Sequence, residues 1–223
     1  MTEPYPIKVM IVDDHEIVRR GLESYLEGNE AFVLVASVGS GEEAVRVCPR
    51  VQPDIVVMDV VMPQMDGIET TRRVLATGRA VKVVALTASM DEARMMGVLR
   101  AGAVGYVRKD AEPEILLAAV RAVAAGRTFI DPGVGQTLVA ARLKPGALED
   151  RDELTPRELH VLRHLALGRS NREIAASLDI GDETVKTHVA RVLSKLQVEN
   201  RAQAIVQALK RGLVTLEELE DVS

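Results

Sequence analysis

Five short runs of β-branched and other apolar residues alternate with stretches of helical period at the start of this chain, and no other feature restricts its fold as much. The runs cover residues 7–12, 32–36, 55–58, 81–87 and 105–108. Helical patterns follow them over 16–27, 40–48, 67–76, 89–101 and 112–125. Ser40, with Glu43 three residues on, predicts a capping box for the second helix, and Pro49 is expected to stop it. Strand–helix alternation implies a parallel sheet with helices on both faces and right-handed crossovers. The expected fold is α/β, a flavodoxin-like (βα)5 domain over residues 1–125, with a Rossmann half as the second choice. No GxGxxG follows the first strand, which counts against a dinucleotide site.

The pattern changes at Gly126. Residues 126–153 hold Pro132, Gly133, Gly135, Pro145 and Gly146 around one possible short helix at 135–143, and read as a linker. Only helices are expected beyond it, over 156–167, 171–178, 183–196 and 202–211. Residues 154–223 therefore form a second, small all-α domain. The net charge of −5 is uneven along the chain. Residues 1–150 carry 17 basic against 21 acidic side chains, whereas residues 154–212 carry 10 against 6. A positive module joined to a negative one points to an anionic partner for the second. The single cysteine, Cys48, excludes an internal disulfide framework and suits a reducing cytoplasm. No apolar run approaches the roughly 20 residues that span a bilayer, so no membrane partner is expected.

Three carboxylates fall at the carboxyl ends of two strands, Asp13 and Asp14 after the first and Asp59 after the third. Open α/β sheets bind ligands at that edge, and in this topology the two strands are neighbours. Carboxylates so close repel one another, and a divalent cation with oxygen ligands, Mg²⁺ above all, relieves the repulsion. Thr87 ends the fourth strand and Lys109 follows the fifth. Together these groups describe a phosphoryl-transfer site with Asp59 as nucleophile. Each residue singly is ordinary, since acids after strands are often turn residues; five at the ends of four strands are not.

The motifs DDH at 13–15, VVMDVVMP around Asp59, Asp66-Gly67, Thr87-Ala88 and GYVRKD at 105–110 resemble the receiver domain of bacterial two-component response regulators. The resemblance implies that Asp59 is the phosphoacceptor, Asp14 a direct Mg²⁺ ligand and Asp13 a water-mediated one. The backbone carbonyl of Val61 would complete the metal site. Lys109 would pair with the phosphoryl group, Thr87 would turn to hydrogen-bond it, and Tyr106 matches the switch aromatic. Many receivers have Pro after the Lys, where this chain has Asp110.

In the helix over 183–196, Val185, Val189, Val192 and Leu196 form one apolar stripe. Thr187, Ala190, Arg191 and Ser194 face away, flanked by Lys186, His188 and Lys195. The residues before it read as helix–turn–helix, and an outer face of small polar and basic residues fits a major groove. A solvated surface explains such a face almost as well. The wording from Leu154 to Leu196 resembles the LuxR-type helix-turn-helix domain of NarL/FixJ regulators, a likeness that covers residues 154–211. The resemblance implies base contacts from Lys186 and Thr187, and phosphate-side contacts from Asn171, Thr184, Arg191 and Lys195, with His188 at the groove edge. Ala190 stands where some members have Lys. Ile205, Val206 and Leu209 of the last helix would make the DNA-bound dimer contact.

The expected molecule is thus a phosphorylation-controlled transcription regulator and not an enzyme. Its expected partners are a sensor histidine kinase, double-stranded promoter DNA and a second copy of itself. A Mg²⁺-dependent phosphatase is a lesser alternative, because such enzymes commonly carry DxD and position 61 is Val. A receiver that acts only as a protein-interaction module is another.

Overall fold

The computed structural model describes residues 6–78, 80–88, 91–134 and 154–215. The chain divides into two compact units, Met1–Ala125 and Gly126–Ser223.

The first unit holds strands β1 (Ile7–Val12), β2 (Phe32–Val38), β3 (Ile55–Asp59), β4 (Lys82–Thr87) and β5 (Gly105–Arg108). Between and after them run α1 (Glu16–Glu27), α2 (Gly41–Val51), α3 (Gly67–Leu75), α4 (Glu92–Arg100) and α5 (Pro113–Ala124). All pairings are parallel: β1 lies between β2 and β3, and β4 lies between β3 and β5. The resulting order 2-1-3-4-5 is the flavodoxin-like one, whose ligand crevice lies at the carboxyl ends of β1 and β3. Both strands are continuous apolar runs because helices cover both faces of the sheet. Val9 to Val12 and Ile55 to Met58 are essentially without solvent exposure.

Two element boundaries depart from the sequence reading. Pro49 does not stop α2, which continues to Val51 and ends at Gln52 in the left-handed region. A proline in the last turn forfeits only its own bond to the carbonyl four residues back, and Gln52 N–H still reaches the Cys48 carbonyl at 3.0 Å. Ser40 accepts from Glu43 N–H and caps the helix from one side. The fourth helix starts at Glu92 and not at 89, a position outside the described residues. Its N-cap is Asp91, whose carboxylate accepts from the N–H groups of Ala93 and Arg94. That single oxygen satisfies two free donors of the first turn, which fixes the start of the helix.

The second unit opens with a two-residue strand, β6 (Phe129–Ile130), inside the stretch read as linker. The helix expected over 135–143 lies outside the described residues. Four helices follow: α6 (Pro156–Ala166), α7 (Asn171–Leu178), α8 (Asp182–Lys195) and α9 (Arg201–Arg211). Complete capping boxes begin α6 at Thr155 with Glu158 and α7 at Ser170 with Glu173. Leu162, Leu165, Ile174, Val185, Val192, Leu196, Ala204 and Ala208 meet in one apolar core drawn from all four helices. Among the described residues no helix is long and apolar enough to cross a membrane.

Gly67 controls how closely α3 approaches the end of β3. A β-carbon there would stand 2.0 Å from the Asp59 carbonyl oxygen and 2.7 Å from Val60 Cα. Both obstacles are backbone and cannot turn aside. Gly67→Ala is expected to destabilise the protein by at least about 1–3 kcal/mol, the range for overpacking, read as a lower urea midpoint.

Candidate functional site

The carboxyl ends of β1, β3, β4 and β5 converge on one acidic pocket. Asp13 and Asp59 are almost fully buried. The ammonium of Lys109 lies between them, 2.7 Å from Asp13 Oδ2 and 2.6 Å from Asp59 Oδ2. The bond to Asp59 has hydrogen-bond geometry, whereas the approach to Asp13 Oδ2 is an ion pair without it. The other carboxylate oxygens are held by backbone: Val61 N–H donates to Asp59 Oδ1, and His15 N–H donates to Asp13 Oδ1.

One ammonium serves two buried carboxylates. Burial pushes the Asp59 carboxyl above the ordinary range, and the charge of Asp13 adds to the rise. Hydrogen bonds from Lys109 and Val61 oppose it without cancelling it. Burial by itself would lower the Lys109 ammonium. The bonds to Asp13 and Asp59 and the charges behind them override burial and carry it above its usual value. Asp59 is displaced upward chiefly because it is buried, and Lys109 because its two acidic partners hold its proton. The pocket keeps an excess of negative charge that Lys109 alone does not neutralise.

Asp13, Asp14, His15 and Asp59 each offer one ligand atom, and these atoms lie within 4.8 Å of one another. Asp14 Oδ1 is buried and accepts no hydrogen bond; His15 Nδ1 lies 2.9 Å from it. A predominantly carboxylate set with an orphaned oxygen fits a hard divalent cation such as Mg²⁺. Val61 is exposed beside Asp59, on the loop leaving β3.

Thr87, buried at the tip of β4, accepts the Lys109 N–H on its carbonyl at 2.6 Å. Its side chain hydrogen-bonds the phenol of Tyr106, which is buried and whose pKa burial pushes upward. The five positions singled out in the sequence therefore share one pocket, with Tyr106 joined to it through Thr87. Two further residues went unread. Arg19 donates to the Asp13 carbonyl at 2.7 Å, and the imidazole of His15 sits against both Asp13 and Asp14. The His beside the paired acids was visible as part of DDH, but nothing in sequence spacing ties Arg19 to them.

In the second unit, α8 buries Val185 and Val192 and exposes Thr184, Lys186, Thr187, Ala190, Arg191 and Ser194. His188 is half-buried, as is Asn171 at the start of α7. Lys195 differs from the other cations. Its ammonium pairs at 2.8 Å with Glu158, a carboxylate only 3 % exposed that also caps α6. That hydrogen bond, with the Thr155 N–H, holds the Glu158 carboxyl down at about 2. His164 Nδ1 accepts from Arg169 Nη1 at 2.9 Å, and burial followed by the Arg169 charge lowers its pKa. Ile205, Val206 and Leu209 are buried, at 2 %, 0 % and 1 % exposure.

Residues 9–121 match the response regulator receiver domain, and residues 152–208 match the bacterial regulatory proteins of the luxR family. The nitrate/nitrite response regulator protein NarP of Escherichia coli is 39 % identical over 212 residues, 95 % of this chain and 98 % of that one. The transcriptional regulatory protein LiaR of Bacillus subtilis is 36 % identical over 209 residues, 93 % of this chain and 99 % of its own. Among solved structures, the complex of the two-component response regulator RcsB with DNA is 25 % identical with a TM-score of 0.56, covering 92 % of this chain and 98 % of RcsB. The chain belongs to the NarL/LuxR family of two-component response regulators, a receiver domain followed by a LuxR-type DNA-binding domain. It is a phosphorylation-dependent transcription regulator.

Removing the shared cation tests the electrostatics. Lys109→Met is expected to lower unfolding stability by roughly 3–5 kcal/mol in buffer free of divalent cations, because two buried carboxylates lose their partner. The raised Asp59 pKa sets the pH dependence: as pH falls through it the carboxyl takes up a proton, and the loss should shrink. Glu158 makes the opposite case. Its folded pKa of about 2 lies below the ordinary 4.5, so its stabilisation is complete above pH 4.5 and disappears as pH falls toward 2. Glu158→Gln should cost about 3 kcal/mol at neutral pH and flatten the acid limb of the urea stability curve.

Proposed function

We propose that Asp59 accepts a phosphoryl group from a sensor histidine kinase and that the added charge controls promoter binding by α8. The observation that carries this reading is the Lys109 ammonium held at 2.6 Å from a buried Asp59 and shared with Asp13. It is a preformed cation beside a nucleophile at the ligand-binding edge of the sheet. An Asp59 oxygen attacks phosphorus, a P–O bond forms, and the P–N bond to the donor imidazole breaks. Lys109 stays beside the phosphoryl oxygens and limits their repulsion with Asp13. Asp13, Asp14, Asp59 and the carbonyl of Val61 would hold Mg²⁺, which when bound supplies charge neutralisation and orients the phosphoryl oxygens.

The phosphoryl group adds about −1.5 to −2 charge, by analogy with other phosphoresidues, to a pocket already rich in anions. The Thr87 hydroxyl, now engaged with Tyr106, is a group able to change partner and donate to it. That exchange would couple phosphorylation to the β4–α4–β5 face. The response is DNA binding by a homodimer, with two α8 helices reaching half-sites about 10 base pairs apart. Lys186 and Thr187 would meet bases, and Asn171, Thr184, His188 and Arg191 the groove edge and backbone. The Glu158 partner makes Lys195 first a residue of the fold and only secondarily a phosphate contact. The protein would act in the cytoplasm, where kinase domain and chromosome are both accessible.

Incubation with acetyl phosphate or phosphoramidate and Mg²⁺ should label the wild-type chain. Asp59→Asn should abolish the label together with any phosphorylation-dependent gain in DNA binding. Undiminished labelling of Asp59→Asn would overturn the assignment.

A further inference from the structure

The outer face of α8 carries information about which bases it meets, an inference that rests on the DNA-binding reading above. Thr187 Oγ1 donates its hydrogen to the Glu183 carbonyl at 3.0 Å. A hydroxyl has one proton, so Thr187 can offer a ligand only its methyl group and oxygen lone pairs. Ala190 is exposed one turn further on, beside Thr187 on the helix surface, and offers a methyl group alone. Glu183, Thr187, Ala190 and Ser194 fall within a sector of about 60° at the centre of the exposed face. The neighbouring long donor, Lys186, is drawn back along the helix, its ammonium 2.6 Å from Glu183 and 3.4 Å from Asp182. Around Thr187 and Ala190 this face therefore presents methyl groups, with the Ser194 hydroxyl one turn further on.

The major-groove edge of guanine presents only acceptors, N7 and O6, and needs a donor opposite. Thymine is the one base that presents a methyl group there, and its partner adenine presents the N6 amino donor. We propose that Thr187 and Ala190 read thymine: their methyl groups pack on C5-methyl groups of the bases facing the middle of α8, and Thr187 Oγ1 accepts from adenine N6 of the same base pair. Specificity at these positions then comes from removing methyl surface from water, while Lys186, once released from Glu183, serves the flanking pair.

The test uses the full-length chain, phosphorylated with phosphoramidate, and a random duplex DNA library. Each thymine of the enriched half-site is then replaced by uracil, which deletes only the C5-methyl group. One or two positions should bind about fourfold more weakly, the effect of one buried methyl group. Replacing the same thymine–adenine pair by 5-methylcytosine–guanine should cost less than replacing it by cytosine–guanine. Thr187→Ser keeps the hydroxyl and lacks the methyl, so it should lose the uracil penalty at one of these positions. Ala190→Gly should lose it at the other. The ratio of thymine to uracil affinities is internal to each variant and is insensitive to helix stability. Sequence-selective binding with no uracil penalty anywhere, or a penalty unchanged in both variants, overturns the proposal and leaves DNA binding standing. Failure to enrich any sequence overturns both readings.

Discussion

A single ammonium group shared by two buried carboxylates is the constraint from which the rest of the receiver follows. Lys109 is shared by Asp13 and Asp59, and the Asp59 pKa is displaced upward, chiefly by burial with the Asp13 charge adding to it. Such a pocket tolerates its own charge only because backbone N–H groups of His15 and Val61 share the load and because Lys109 is anchored at both ends. Its N–H is bonded to the Thr87 carbonyl, its Nζ to the acids. Additional positive charge relieves the pocket and additional negative charge strains it. This asymmetry suits a site that holds a divalent cation and registers the arrival of a phosphoryl group. Thr87 joins the pocket to Tyr106, its carbonyl taking the Lys109 N–H and its side chain hydrogen-bonding the phenol.

The helical unit applies the same physics to the opposite end. Lys186 and Lys195 are basic residues on one helix, and sequence alone treats them alike. Lys195 meets a buried carboxylate that also caps α6, so removing it would leave an uncompensated charge in the interior. Lys186 meets two exposed acids of its own helix, a pairing that solvent weakens and that a stronger anion could replace. Partner burial, not residue type, separates the cation that builds the module from the one free to change partner.

The strands and their order were legible because a parallel sheet covered on both faces demands continuous apolar runs, and five of them alternate with helices. The acidic pocket was legible for a related reason: strand ends fix where Asp13, Asp59, Thr87 and Lys109 must lie once the order is known. What escaped was decided by contacts between distant positions. Glu158 and Lys195 stand 37 residues apart, so no local pattern joins them. Pro49 reads as a stop because propensity counts a lost bond. The structure shows how little one such bond matters in the last turn of a helix anchored by Ala44 and Cys48. The Asp91 cap went unread because the helical pattern was started two residues earlier, at 89.

The last helix shows the limit of carrying a contact over by resemblance. Ala204 and Ala208 of α9 belong to the core built with α6 and α8. Ile205, Val206 and Leu209 are buried as well, and it was the family resemblance, not the stripe, that assigned them to a dimer contact. Burying such side chains contributes about 1.5–3 kcal/mol each, so exposing all three to water would cost roughly 5–9 kcal/mol. That is comparable to the whole stability of a small domain. A dimer through this stripe could not form by first baring it. It would have to exchange one cover for another, so that the gain on pairing offsets the loss within the same event.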